Sequence, residues 1–273
     1  ILRGSSYCLD SNIAILEVLQ NSLVLSNCSK YIFQIIESKD RQDTIEFMNL
    51  TEFVDLIVPR GGKGLIQTLV DNSKVPFILD GDGNVHLYIH QDAKKEHIID
   101  IVINSKVQRP GVCNALETLI INSEIYQDMG GLIIEELLKN KVELFVDEKI
   151  KEDFPSLNLA NKSHYETEFL DLKLAVKIVD NVDQAIDHIK IFSSGHTEAI
   201  LTESKEVADT FSKSIDSSVI FINSSTRFTD GEMFGFGSEI GISTQKLHVR
   251  GPMGLEALTN ERYVVTGEGT VRG

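Results

Sequence analysis

Cysteine is scarce in this chain, and its spacing is uninformative in a useful way. Cys8, Cys28 and Cys113 are an odd count of three among 273 residues. Their separations fit neither a disulfide framework nor a metal knuckle. A reducing, cytoplasmic setting is therefore expected. Long apolar runs are missing as well: no stretch approaches the ~20 apolar residues of a membrane span, and no signal peptide is visible. Positive charge is in short supply, with a net charge of −15 and a pI near 4.9. That balance excludes nucleic acid or an anionic membrane as the main partner. It leaves room for small anions, because a few arginines converging on one cleft outweigh a diffuse acidic exterior. The seven histidines are scattered and never paired at metal-ligand spacing, so no metal is expected. Internal repeats, low-complexity segments and a Ser-His-Asp arrangement are also absent.

What is present is ordinary globular material, 42% apolar and 25% charged, in a length that suits two domains. The first residues, Ile1-Leu2-Arg3-Gly4, read as the end of a strand, so the chain is expected to begin inside an element. From there to residue 83 strand and helix alternate. Asp10-Ser11 can cap a helix carrying Ile13, Leu16, Leu19 and Leu23, and Asp40 one running through Phe47. Strands are expected at 31–36, 54–58 and 75–79, with a helix from Leu65 to Asp71.

The turn Asp80-Gly81-Asp82-Gly83 is the sharpest break in composition. Beyond it, residues 84–89 alternate polar and apolar, and a helix spans about 92–105. After Cys113, strands are expected near Leu119, at 142–146, 172–179, 199–201 and 218–222. Helices are expected between them at 124–138, 182–191 and 205–214. Residues 147–166 read as irregular loops, and 263–273 as a β-ribbon. Strands alternating with helices of this length imply βαβ units and a largely parallel sheet. The expected class is α/β.

Three local features could carry chemistry. Arg60-Gly61-Gly62-Lys63-Gly64 follows a strand and opens a helix, where backbone N–H groups and the helix dipole suit a phosphate. It lacks P-loop spacing, and an ordinary βα turn fits the same facts. Residues 223–241 interleave glycines with Phe228, Phe234 and Phe236 in a long loop. There Arg227 has the planar fork that grips a carboxylate or phosphate, or is simply a surface arginine. Cys113 sits between a Pro-Gly turn and an apolar run, a setting that suits a nucleophilic thiol and equally a small buried residue. A compact basic run, 246–252, stands out in so acidic a chain.

Together several segments resemble one family. Pro-Gly-Val-Cys-Asn-Ala-Leu-Glu-Thr (110–118), Val-Pro-Arg-Gly-Gly (58–62), Phe-Ser-Ser-Gly-His-Thr-Glu (192–198) and Asn-Ser-Ser-Thr-Arg-Phe-Thr-Asp-Gly (223–231) look like γ-glutamyl phosphate reductase. So does the stretch 234–255, from Phe-Gly-Phe-Gly through Arg-Gly-Pro-Met-Gly-Leu. The family lies in the aldehyde dehydrogenase superfamily and reduces glutamate 5-phosphate with NADPH on the route to proline. The resemblance covers essentially the whole chain. It implies a partial Rossmann-type NADP-binding domain at 1–83, a catalytic α/β domain at 84–254 and a tail at 255–273 that joins subunits of a homo-oligomer.

The resemblance also assigns residues. Cys113 becomes the nucleophile, forming a thioester that accepts hydride. Arg3, Ser5 and Ser6 face the adenosine end of NADPH, where a serine at position 6 tolerates a 2′-phosphate. Gly61 and Gly62 approach the pyrophosphate, and Glu168 holds the nicotinamide ribose. Arg227 and Asn114 are the substrate contacts. Asp80 lies near the position where hydrolytic relatives carry a glutamate, and no role is assigned to it. A glutamate kinase, separate or fused, is the implied partner. Against the family the chain is expected to be incomplete at its N-terminus, and it departs from it in Asn84-Val85-His86, where a cysteine more often precedes the histidine. Another aldehyde dehydrogenase-type activity, or an inactive assembly module, are the rival readings.

Overall fold

The computed structural model describes residues 1–79 and 81–273, with the side chain of Lys63 left out, and divides into two units, Ile1–Phe77 and Ile78–Gly273. Asp80 lies outside the described residues.

The first unit holds helices α1 (Leu9–Leu25), α2 (Arg41–Phe47) and α3 (Lys63–Asn72). Asp40 caps α2 as expected, its Oδ1 accepting from the Gln42 N–H at 2.9 Å. Asp10 does not cap α1. The helix already starts at Leu9 behind Cys8, which leaves Asp10 in the first turn beside the positive end of the dipole. The three expected strands shrink to isolated parallel bridges, Leu2↔Ile35 and Ile57↔Phe77. β-branched runs become strands only where neighbours complete their ladders, and the unit offers few. Its packing is thin: Leu16, Met48, Leu69 and Val75 are buried, while Ile15, Val18, Val24 and Leu25 on α1 stand exposed.

One helix of this unit nonetheless reaches the length of a membrane span. Ser6–Leu25 is a helical run of 20 residues that by length and mean hydropathy alone could cross a membrane. The sequence hid it because Asp10, Asn12, Glu17, Gln20 and Asn21 interrupt the apolar residues. Averaged over the helix, the apolar content still prevails.

The second unit is built on a seven-stranded parallel sheet in the order β4-β3-β5-β2-β1-β6-β7. Its strands are β1 (Val85–Ile89), β2 (Leu116–Asn122), β3 (Glu143–Val146), β4 (Asn158–Leu159), β5 (Lys173–Val179), β6 (Thr197–Leu201) and β7 (Val219–Ile222). Its helices are α4 (Lys95–Val107), α5 (Ser123–Lys139), α6 (Glu148–Asp153), α7 (Lys162–Glu166), α8 (Val182–Phe192) and α9 (Lys205–Ser214). Strand parity sorts the core into two layers. Leu87, Ile89, Leu119, Ile121 and Val176 face Ile98 and Val102 of α4 and Ile133, Ile134 and Leu137 of α5. Tyr88, Ile120 and Ile200 face Ala185, Ile186 and Ile189 of α8 and Phe211 of α9. Each fully buried aliphatic here contributes about 1.5–3 kcal/mol.

β1, β2 and β6 are buried at every position, so the polar alternation in 84–89 does not mark a solvated face. His86 is as buried as its apolar neighbours. The stretch 147–166, expected to be irregular, contains α6 and α7, capped by the side chains of Asp147 and Asn161. The expected ribbon at the end of the chain does not form: Glu256–Leu258 is a single 3-10 turn, and no strand follows it. An isolated two-stranded ribbon is marginal in water and needs further strands to pair with.

Candidate active site

All seven strands are parallel, so their N-terminal ends share one edge, and there the chemistry-bearing segments gather. Gly83 and Asn84 precede β1, the Cys113 turn precedes β2, Glu168 precedes β5, and Ser193 to His196 precede β6. Open α/β sheets more often bind ligands at the opposite, carboxyl ends of their strands.

Cys113 is half-buried on its turn and outside any disulfide. Gly83 packs against its backbone so closely that a Cβ built on Gly83 would lie 1.7 Å from the Cys113 carbonyl oxygen. The Gly83 N–H in turn donates to Glu168 Oε1 at 2.7 Å. The Cys113 turn and the glutamate expected at the cofactor thus share one residue. Asn84 continues the tie, donating from Nδ2 to the carbonyls of Tyr165 and Phe192 at 2.8 and 2.7 Å.

The segment after β7 leaves the far end of the sheet and returns to this edge along α4. Ser225 Oγ donates to Asn104 Oδ1 at 2.6 Å, and the Thr226 N–H donates to Ser105 Oγ at 3.3 Å. Thr226 Oγ1 then donates to the Asn114 carbonyl, and Asn114 Nδ2 to the Thr229 carbonyl, both at 2.7 Å. Asn114 is buried and its amide nitrogen is engaged in this staple. Arg227 is carried beside the Cys113 turn, with Nε donating to Gln108 Oε1 at 2.8 Å. Desolvation depresses the Arg227 pKa, and nearby Arg109 depresses it further, while Cys113 and Asp230 act in the opposite sense.

The next residue of α4 is also committed. Lys106 Nζ donates to Glu117 Oε2 at 2.7 Å, and Glu117 Oε1 accepts from the Leu170 N–H at 3.1 Å. Leu170 adopts a left-handed φ of 52°. Three consecutive residues of α4, Asn104 to Lys106, therefore hold the Arg227 segment directly and the Glu168 segment through Glu117. Sequence reasoning missed Gly83, Arg109, Lys106 and Glu117. A carboxylate between Leu116 and Leu119 in a buried strand was the available signal, because such a charge requires a partner.

Beneath the edge lies a buried polar layer. Glu198 accepts from the backbone N–H of His86 at 2.9 Å, pairs with His86 Nδ1 at 3.1 Å, and also accepts from Ser193 and Ser217. His196 Nδ1 meets Thr197 Oγ1 at 2.8 Å, and that hydroxyl reaches Thr229 Oγ1 at 2.9 Å. Burial lowers the His196 pKa to about 4 and that of His188 to about 3, so both are neutral. None of these histidines sits in a metal-type cluster among the described residues.

The cofactor residues expected in the first unit have local roles of their own. Ser5 caps a short turn, accepting from the Tyr7 N–H at 3.3 Å, and Ser6 begins that turn. Arg3 is exposed. Gly62 is the N-cap of α3, and a Cβ built there would meet nothing within 4 Å, so a ligand can approach the backbone closely. Gly61 instead faces the Leu65 side chain. The basic run in the second unit is no open cationic patch. Lys246 and Arg250 both pair with Asp216, whose carboxyl they hold near a pKa of about 2.

The parallel α/β sheet, with a cysteine turn and a glutamate at this edge, has an aldehyde dehydrogenase-like fold. The acetylating aldehyde dehydrogenase of Geobacillus thermoglucosidasius shares this fold, with a TM-score of 0.70 over 94% of the chain and 66% of that structure at 18% identity. No family model matches the chain. The gamma-glutamyl phosphate reductase of Thermoanaerobacter pseudethanolicus is 47% identical over 272 residues, covering 100% of the chain and 66% of the relative. That of Oceanobacillus iheyensis is 45% identical with the same coverage, 100% and 66%. The crystal structure of the Thermotoga maritima gamma-glutamyl phosphate reductase superposes with a TM-score of 0.94 at 44% identity, covering 100% of the chain and 66% of that structure. The chain belongs to the gamma-glutamyl phosphate reductase family, and it spans 66% of the length of these relatives.

Proposed function

We propose that the protein reduces L-glutamate 5-phosphate to L-glutamate 5-semialdehyde and phosphate, with NADPH as reductant and Cys113 as nucleophile. The observation that carries this reading is the convergence of the Cys113 turn, Glu168 and Arg227 at one edge of an aldehyde dehydrogenase-type sheet. The Cys113 thiolate attacks the acyl carbon, the carbon–oxygen bond to phosphate breaks, and phosphate leaves with the electron pair. An acyl phosphate is already activated, so no water needs a general base. Bound NADPH, its nicotinamide ribose held by Glu168, would supply the hydride that the thioester carbon accepts. The carbon–sulfur bond then breaks, which returns the thiolate and releases the aldehyde.

Gly61 and Gly62 at the start of α3 fit the pyrophosphate of NADPH, Arg3, Ser5 and Ser6 its adenosine end, and Glu168 its nicotinamide ribose. Arg227 meets the substrate, while Asn114 acts through the loop that it holds. An enzyme that phosphorylates glutamate must supply so labile a substrate, which makes a glutamate kinase the natural partner. The exposed tail, with Tyr263, Val264 and Val265 in solvent, suits assembly into a homo-oligomer. A cytoplasmic location accords with three cysteines that form no disulfide.

Incubating the full-length protein with NADP⁺, phosphate and glutamate semialdehyde tests the reading. Cofactor reduction that requires all three is expected. No reduction with semialdehyde, alongside reduction with a simple aliphatic aldehyde, would overturn it in favour of another aldehyde dehydrogenase-type activity.

A further inference from the structure

Two arginines on different segments meet near the Cys113 turn, since Arg227 Nε holds Gln108, the residue before Arg109, at 2.8 Å. Arg109 lies on the Cys113 turn itself, and Arg227 lies within the 3-10 turn Thr226–Phe228. The stapling of Thr226 and Thr229 to Asn114, and of Arg227 Nε to Gln108, determines how these segments lie together. Only Nε of Arg227 is used in that staple, which leaves the terminal nitrogens of its fork for another acceptor.

We propose that Arg109 and Arg227 form an anion subsite that takes the phosphoryl group of an acyl phosphate, or inorganic phosphate in the reverse direction. The inference rests on the acyl-phosphate reading above and deepens it. Burial depresses the Arg227 pKa and Arg109 depresses it further, the direction a neighbouring like charge imposes. Among the described residues neither forms an ion pair with a carboxylate. Asp230, the nearest carboxylate in sequence, instead caps the following turn, accepting from the N–H groups of Glu232 and Met233 at 2.9 and 3.1 Å.

Arg250, by contrast, is matched by Asp216 at 2.7 Å. Two mutually repelling arginines beside a thiol are satisfied by a multiply charged oxyanion, which planar forks bind through paired hydrogen bonds. The same pair would withdraw charge from the bridging oxygen as phosphate departs. Without it, carbon–oxygen cleavage would leave the anion poorly stabilised.

The test uses the full-length protein and two readouts. Inorganic phosphate should slow alkylation of Cys113 by iodoacetamide, and Arg109→Met or Arg227→Met should weaken that protection about tenfold or more. In the reverse assay both variants should raise KM for phosphate while leaving KM for semialdehyde nearly unchanged. Arg109→Lys, which keeps the charge without the fork, should recover part of the affinity and guards against a variant that merely misfolds. Unchanged phosphate KM in both active Met variants would overturn the subsite and leave the reductase reading standing. Phosphate protection that depends on both arginines, in a protein inactive with semialdehyde, would support the subsite and sink the substrate assignment instead.

Discussion

Lys106 and Glu117 form a salt bridge at 2.7 Å, and neither side chain reaches solvent. Burial pushes the Glu117 carboxyl up to about 7, against the pull of Lys106, and the same burial depresses the lysine. Such a pair contributes little net stability, because desolvation consumes most of the attraction. Its effect is geometric: Glu117 holds the Leu170 N–H, and with it the turn that carries Glu168.

Removing one partner should therefore cost far more than removing both. Glu117→Gln leaves a buried ammonium unpaired and should destabilise by about 3–5 kcal/mol. Lys106→Met combined with Glu117→Leu should recover most of that loss in urea denaturation. The double variant still frees Leu170, so its KM for NADPH should remain raised. A double variant as unstable as the single would contradict this account.

Cys113→Ser should abolish turnover while leaving the fold intact, since a hydroxyl is a far weaker nucleophile at neutral pH. Unchanged circular dichroism and melting temperature are the controls. Retention of most activity would remove Cys113 from the mechanism.

Gly83→Ala should be severe, because the new Cβ would meet the Cys113 carbonyl oxygen at 1.7 Å and its Cα at 2.6 Å. Those are backbone atoms, so Cys113 must move. A displacement of about 1 Å costs on the order of a hundredfold in kcat. Gly111→Ala, whose Cβ would approach the Leu170 oxygen only to 3.6 Å, should be mild by comparison. Similar kinetics for the two variants would refute the contact.

Acid should destabilise the second unit through its neutral histidines. The folded pKa values of His196 and His188 are about 4 and about 3, below the ~6.5 of an unfolded histidine. Above pH ~6.5 both states are uncharged and nothing changes. As pH falls from there to about 4, the unfolded chain takes up protons that the fold refuses. Stability should drop by about 1.4 kcal/mol per pH unit for each histidine. His196→Asn should reduce the slope by about one proton in urea titrations across this range, and an unchanged slope would exclude His196 as a source.

Periodicity and capping made most of the second unit legible. The helices at 124–138, 182–191 and 205–214 and the strands between them lie where spacing puts them, because strand and helix alternate around one large core. Periodicity failed in the first unit. There the β-branched runs at 31–36, 54–58 and 75–79 have too few partners to become strands, and partners are not a local property.

Sequence by itself determined the nucleophile's candidacy, the glutamate before β5, the arginine of the 223–229 segment and the family likeness, because each rests on residue types in an ordered string. Only the tertiary structure decided how those pieces meet. Gly83 is pressed onto Cys113, Lys106 is committed to Glu117, Arg250 is withdrawn onto Asp216, and Arg227 is tied to Gln108 beside Arg109. The physical reason is that a charge or a glycine acquires its meaning from what packs against it. In a parallel sheet those neighbours come from strands and loops far apart in the chain.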